Sequence, residues 1–289
     1  MTQKHDMHIL LSQIEARKAV LDSLRPLWGA ALTHMQKYYD VELTYTSNAI
    51  EGNTLTLRET AEVIEHGITV GGKPLRDHLE AQDHYDAISW MREIVGLNAP
   101  LGEAVVCELH RRIVLRSQPQ IAGVYSPYSR RIAGSPTVFP NPAKLPGLMM
   151  EFGNWLAATP ETPMAAMEAH FRLTAIHPFS DGNGRVARLL MNLMLIKAGY
   201  PPIAVRPLDR KAYLDALEKG SQAGDLGEFF ILLLGRLTTL YPNISRFCRK
   251  RLVRLPQIRA VEPARCKTAI ADTGQSVYVE LWRAYQTRL

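Results

Sequence analysis

Apolar residues return every three or four positions along most of this chain, in 8–28, 57–66, 101–116, 144–157, 164–176, 185–198 and 225–240. That spacing draws one apolar stripe down an α-helix, whereas a half-buried strand needs strict alternation, which few segments show. The sequence therefore predicts an all-α helical bundle. Boundary residues agree. Thr56 with Glu59 and Asp225 with Glu228 have capping-box spacing, Pro163 follows Thr162 as a first-turn proline, and Gly67 suits a helix end. The exception is 122–142, AGVYSPYSRRIAGSPTVFPNP, where Gly, Pro and Ser punctuate Tyr125, Tyr128, Ile132, Val138 and Phe139. It reads as a short β-hairpin, with a surface loop as the alternative. No internal repeat or low-complexity segment is present.

At 289 residues and 46% hydrophobic content the chain can bury a substantial core. No run approaches the roughly 18 uninterrupted apolar residues of a membrane span, and the first twenty residues lack a cleavable leader, so a cytoplasmic protein with no membrane contact is expected. Cys107, Cys248 and Cys266 form no CxxC pair, which argues against a disulfide framework. The net charge of +6 is uneven, because residues 246–289 hold ten Lys/Arg against Glu262, Asp272 and Glu280. The body is left near neutral, so nucleic-acid binding is not expected of it. The basic tail reads as solvated chain, with contact to nucleic acid or an acidic partner as the alternative.

Chemistry concentrates in 177–188, HPFSDGNGRVAR, between two apolar helices. Pro178 ends the first helix, and Asp181-Gly182-Asn183-Gly184 supplies small, flexible backbone ahead of the next. Free N–H groups and the positive end of the helix dipole meet there, which outlines an anion site. Arg185 and Arg188, three apart, share the first turn's face. A helix amino terminus disfavours cations unless an anion is to be bound, so the pair points to a polyphosphate. Asp181 adds one oxygen ligand of the kind Mg²⁺ takes beside phosphates, and His177 supplies a base that works near neutrality. Taken singly, each residue has an ordinary structural explanation; twelve residues holding base, metal ligand, anion loop and paired arginines exceed what a turn needs.

HPFSDGNGRVAR resembles the Fic signature, HPFx(D/E)GNGRxxR, at every specified position, and the likeness extends over about residues 45–240. The resemblance implies a compact helical Fic fold, ATP as co-substrate with Mg²⁺, and transfer of AMP to a Ser, Thr or Tyr hydroxyl of a protein, the enzyme itself included. His177 would deprotonate that hydroxyl, which attacks the α-phosphorus and expels pyrophosphate. Asp181 would hold Mg²⁺, the backbone of Gly182, Asn183 and Gly184 would cradle phosphates, and Arg185 and Arg188 would neutralise the β and γ phosphates. Phe179 is a packing anchor. Gly184 favours AMP transfer, since related Doc-type kinases carry lysine there.

Upstream, Ser47-x-x-x-Glu51-Gly52 resembles the family's inhibitory motif, with a helix end capped by Gly52 as the ordinary alternative. A bidentate pair between Glu51 and Arg188 would remove the cation needed by the γ-phosphate. Some members use this glutamate to remove AMP, so de-AMPylation is kept as a secondary activity. The hairpin would be a flap whose Ile132, Ala133 and Gly134 pair with the target. Tyr213 falls where members set an aromatic against the adenine, with a helix-packing tyrosine as the alternative. Members often dimerise, so a homodimer is compatible with the resemblance. The expected division is a helical region 1–95 holding the inhibitory segment 47–52, a catalytic core 96–242, and a basic tail 243–289. The competing reading is a nucleotide-sensing binding protein whose basic tail contacts nucleic acid.

Overall fold

The computed structural model describes residues 2–23, 30–131 and 137–252, with side chains at 3–23, 36–131 and 137–240. Ten α-helices lie within them: α1 Thr2–Ser23, α2 Ala30–Ile50, α3 Leu57–His66, α4 Leu75–Gly96, α5 Glu103–Val114, α6 Leu145–Ala158, α7 Pro163–Ile176, α8 Asn183–Lys197, α9 Arg210–Ala223 and α10 Gly227–Leu252. The all-α expectation holds.

Helix α8 is the axis of the molecule. Val186, Ala187, Leu189, Leu190, Met191, Leu193, Met194, Leu195 and Ile196 are all buried, as are Arg185, Arg188 and Asn192, so the helix is enclosed on every side, as a central helix must be. It packs on α7, α5 and α4, while α1 lies along α10. Ile14 and Leu21 from α1 join the same buried cluster as Phe229, Leu233 and Leu237 from α10, so the amino- and carboxy-terminal helices of the described chain share one core.

Local signals explain several boundaries. Thr56 and Glu59 close a reciprocal capping box at α3, and Gly67 ends that helix at φ 65. Thr162 caps α7 with Pro163 in the first turn. The Asp225/Glu228 box does not form: Asp225 accepts the Gly227 N–H, while Glu228 turns away to Lys219. Lys219 attracts both carboxylates, which outweighs one reciprocal backbone bond.

Three helices lay outside the expected set. Along α2 and the first half of α4 the buried faces are largely polar, with Asp40, Glu42, Thr44, Ser47 and Asn48 on one and Asp77, His78, Glu80, Asp83 and His84 on the other. The apolar stripe is therefore interrupted in α2 and confined in α4 to its second half, at Ile88, Met91, Ile94 and Val95. In α9 the buried face is Tyr213, Ala216 and Gly220, a single large residue beside two small ones. The hairpin region is mostly irregular. An antiparallel bridge joins Arg131 to Val138, and a second joins Tyr125 to Phe179. Ile132, Ala133 and Gly134 lie outside the described residues, as do 253–289 of the basic tail.

Candidate active site

The loop between α7 and α8 is held open by its own side chains. Asn183 accepts the Phe179 N–H through Oδ1 at 2.9 Å and donates from Nδ2 to the Phe179 carbonyl at 2.7 Å. Phe179 itself is fully buried. Gly182, at φ 76, is the residue from which α8 starts, and a Cβ there would stand 2.7 Å from Ile113 Cδ1, so both conformation and space require glycine. No side chain caps α8. Its first N–H groups and the positive end of its dipole thus face the loop, the condition for holding an anion.

A histidine that the sequence reading passed over organises this loop. His110 of α5 stacks on Phe179 with ring centroids 3.7 Å apart and planes 3° from parallel. Its Nδ1 accepts the Gly123 N–H at 3.0 Å, and its Nε2 lies 3.1 Å from the Asp181 carbonyl. The first contact fixes Nδ1 as acceptor, so Nε2 carries the proton and donates. Burial pushes its pKa down to about 4, which keeps the ring neutral. The Ser126 N–H, donating to the Pro178 carbonyl at 2.8 Å, adds a second tie between the signature loop and the start of the flap region. Nothing in the sequence marks His110, because its partners are 13 and 71 residues away.

His177 follows α7 in the left-handed region, at φ 51, which turns its side chain out of the helix line. Its imidazole stacks on Phe139, centroids 3.9 Å apart. Burial lowers its pKa to about 4, opposed by a hydrogen bond to the Thr174 backbone and by the charge of Glu51. The ring is therefore neutral at physiological pH and can accept a proton.

Asp181 is half exposed and meets Arg76 Nη2 at 2.9 Å, Gln118 Nε2 at 2.5 Å and the Gly182 N–H at 2.6 Å. Burial would raise its pKa, but Arg185, Gln118, the Gly182 amide and Arg76 together hold it below the usual carboxylate range. Gln118 is delivered by a turn whose Arg116 and Ser117 N–H groups bond to the buried Asp83 of α4. Among the described residues no group of three or more His, Cys, Asp or Glu could hold a metal. A single ionised, accessible carboxylate beside uncapped backbone N–H groups fits a Mg²⁺ that arrives with a polyphosphate rather than one caged by protein.

The two arginines diverge rather than share an open face. Arg185 is 1% exposed and lies 3.4 Å from Glu80 and 3.5 Å from Asp181. Arg188 is buried against α2: Nη2 meets Glu51 Oε1 at 2.6 Å and donates to the Ser47 carbonyl at 2.9 Å, while Nε donates to Ser47 Oγ at 2.9 Å. The bidentate pair with Glu51 expected from sequence is therefore replaced by a fork shared between Glu51 and Ser47. Glu51 also rests on the anion site itself, since a Cβ on Gly184 would fall 2.4 Å from its Oε1. Gly52 ends α2 at φ 97, as the ordinary reading of this segment expects. Tyr213 is 1% exposed, with its hydroxyl 2.7 Å from His170 Nε2 and 3.5 Å from Arg188 Nη1.

The site thus brings together a neutral imidazole, an uncapped helix terminus, an ionised carboxylate and a buried guanidinium plugged by a carboxylate. Residues 100–195 match the family model described as Fic/DOC family. The chain is 33% identical over 225 residues to a protein adenylyltransferase Fic of Nematostella vectensis, covering 76% of this chain and 52% of that protein. It is 34% identical over 223 residues to one of Culex quinquefasciatus, covering 75% and 44%. The chain spans about half the length of the curated relatives it matches. Among solved structures, a Fic domain containing signaling protein of Bacteroides thetaiotaomicron superposes with a TM-score of 0.72 at 28% identity, covering 85% of this chain and 97% of that one. A Fic-1 fragment from C. elegans gives 0.72 at 26% identity, covering 83% and 71%.

Proposed function

Because the chain belongs to the Fic/DOC family, we propose that it is a protein adenylyltransferase, moving AMP from ATP to a hydroxyl of a protein and restrained by its own Glu51. The observation that carries the reading is the meeting of a neutral His177 with the uncapped α8 terminus, while Glu51 occupies both Arg188 and the space over Gly184.

His177 takes the proton of the target hydroxyl, whose oxygen then bonds to the α-phosphorus as the bond to the bridging oxygen breaks and pyrophosphate departs. The N–H groups at the start of α8 and the two arginines stabilise charge that builds on the leaving phosphates. Mg²⁺, when bound at Asp181, would supply further charge neutralisation there. His110 and Asn183 keep the loop in the shape that presents these donors. In the resting state a carboxylate stands where phosphate oxygens would go, and like charges exclude one another. The helical region 1–95 acts as regulator of a 96–242 core. A secondary activity, removal of AMP, would use the Glu51 carboxylate, whose charge acts on His177, to orient an attacking water.

The test uses the full chain with Glu51→Gly, incubated with α-labelled ATP and Mg²⁺ in a cell lysate, with labelled bands read by mass spectrometry. AMP adducts on hydroxyl side chains, of the enzyme or of another protein, are expected to rise sharply over wild type. Tight ATP binding with no adduct in any band would instead make the chain a nucleotide sensor.

A further inference from the structure

Arg188 is held from two sides, and only one of them belongs to the segment that carries Glu51. Its Nε and Nη2 face Ser47 and Glu51, at the end of α2. Its remaining nitrogen, Nη1, faces the Tyr213 hydroxyl of α9. That hydroxyl is tied in turn to His170 Nε2 of α7 at 2.7 Å.

The chemistry of this chain has a direction. Burial pushes the His170 pKa down to about 3, so the ring is neutral and offers one acceptor nitrogen. Arg188 can only donate. With Nε2 as that acceptor, the Tyr213 O–H donates to His170, which turns its oxygen lone pairs toward the guanidinium. The phenol cannot move aside, because its ring lies between His170, 5.7 Å away and edge-on, and Phe229, 6.3 Å away. The same enclosure removes its face from contact with a ligand's base, contrary to the adenine-stacking expectation for Tyr213. The two holds also differ in permanence: the Glu51 side chain is 39% exposed at the end of a helix, whereas Tyr213 and His170 are buried in the core. The 3.5 Å separation is long for a hydrogen bond, as expected while Glu51 draws the guanidinium toward α2 at 2.6 Å.

We propose that Tyr213, backed by His170, is a positioning residue that keeps the Arg188 guanidinium aimed at the terminal phosphates of a nucleoside triphosphate once Glu51 withdraws. The assignment rests on the adenylyltransferase reading and adds to it the group that sets Arg188 in the active state.

The test measures binding of α,β-methylene-ATP and of AMP, each with Mg²⁺, to the full chain carrying Glu51→Gly with and without Tyr213→Phe. Loss of the hydroxyl is expected to weaken the triphosphate about 3–10-fold and to leave AMP affinity unchanged, with the melting temperature lowered because His170 Nε2 loses its partner. Phenylalanine preserves both packing and any ring stacking, so a structural or adenine-binding role predicts no selective loss. Equal affinity for the triphosphate, or equal weakening of both nucleotides, would overturn the assignment. His170→Leu, which removes the acceptor behind the phenol, should give the same selectivity in a second fold-competent background. If Glu51→Gly alone binds no triphosphate analogue, the adenylyltransferase reading fails first and takes the Tyr213 assignment with it.

Discussion

His177 combines a left-handed backbone, a face stacked on Phe139 and a pKa lowered by burial, so its ring is neutral and fixed. A base acts in the reaction step more than in ground-state binding. His177→Ala in the Glu51→Gly protein should therefore lower AMP transfer by about 10²–10⁴-fold, while calorimetry returns nearly the same ATP affinity. Retained transfer would remove His177 from its role. Arg188 offers a sharper contrast, because it can serve Glu51 or a phosphate but not both in full. Glu51→Gly should raise auto-modification, by roughly a hundredfold if the brake is worth a few kcal/mol. Arg188→Ala breaks the same ion pair and should stay inactive, and the double substitution should match it. Activity in the double variant, followed by labelled ATP, would show that the pair is not what restrains the enzyme.

Among the elements, the α7–α8 connection decides the site's geometry. Asn183 satisfies both backbone groups of the buried Phe179, a residue whose amide and carbonyl have no water to turn to. Asn183→Ala would strand two polar groups in the core, and urea unfolding should record a loss of about 2–4 kcal/mol. A smaller loss, under about 1 kcal/mol, would mean that the loop relaxes and that His110 alone holds it. Helix α2 ends in a similar way, with Arg210 Nε donating to the Ile50 carbonyl at 2.8 Å and Asn48 donating to the Glu80 carbonyl of α4 at 3.3 Å. The segment bearing Glu51 is thereby fixed to α9 and α4 as well as to Arg188.

At the scale of the whole molecule, stability rests on the apolar axis of α8 and on histidines buried without charge. Met191 is fully buried, and Met191→Ala should cost about 2–5 kcal/mol by denaturant titration. His84, His110, His170 and His177 all have pKa values lowered below 6.5, burial being the first cause in each. Their neutral forms belong to the fold, so stability is full above about pH 6.5, where the unfolded chain is also neutral. It falls as pH drops from there toward about 4, since the unfolded chain takes up protons that the folded one refuses. Thermal melts should move steadily down between pH 6.5 and 4.5; a flat melting temperature over that window would refute the buried neutral histidines.

The chain's sequence by itself determined the helical class, the boundaries at Thr56, Gly67 and Thr162, and the Asn183 clasp on Phe179 within the 177–188 loop, because these depend on contacts a few residues apart. Apolar periodicity also marked α5, α6, α7 and α8, whose buried faces carry enough apolar residues for the stripe to show. Tertiary structure alone decided the rest. Helices α2 and α4 bury acids and amides whose partners come from distant parts of the chain: Asn53 and Arg185 for Glu80, Arg116 and Ser117 for Asp83. Such partners leave no local periodicity to read. For the same reason the sequence placed Tyr213 by its type, and only the packing of α7, α9 and α10 around it turned its hydroxyl toward Arg188 and closed its ring to solvent.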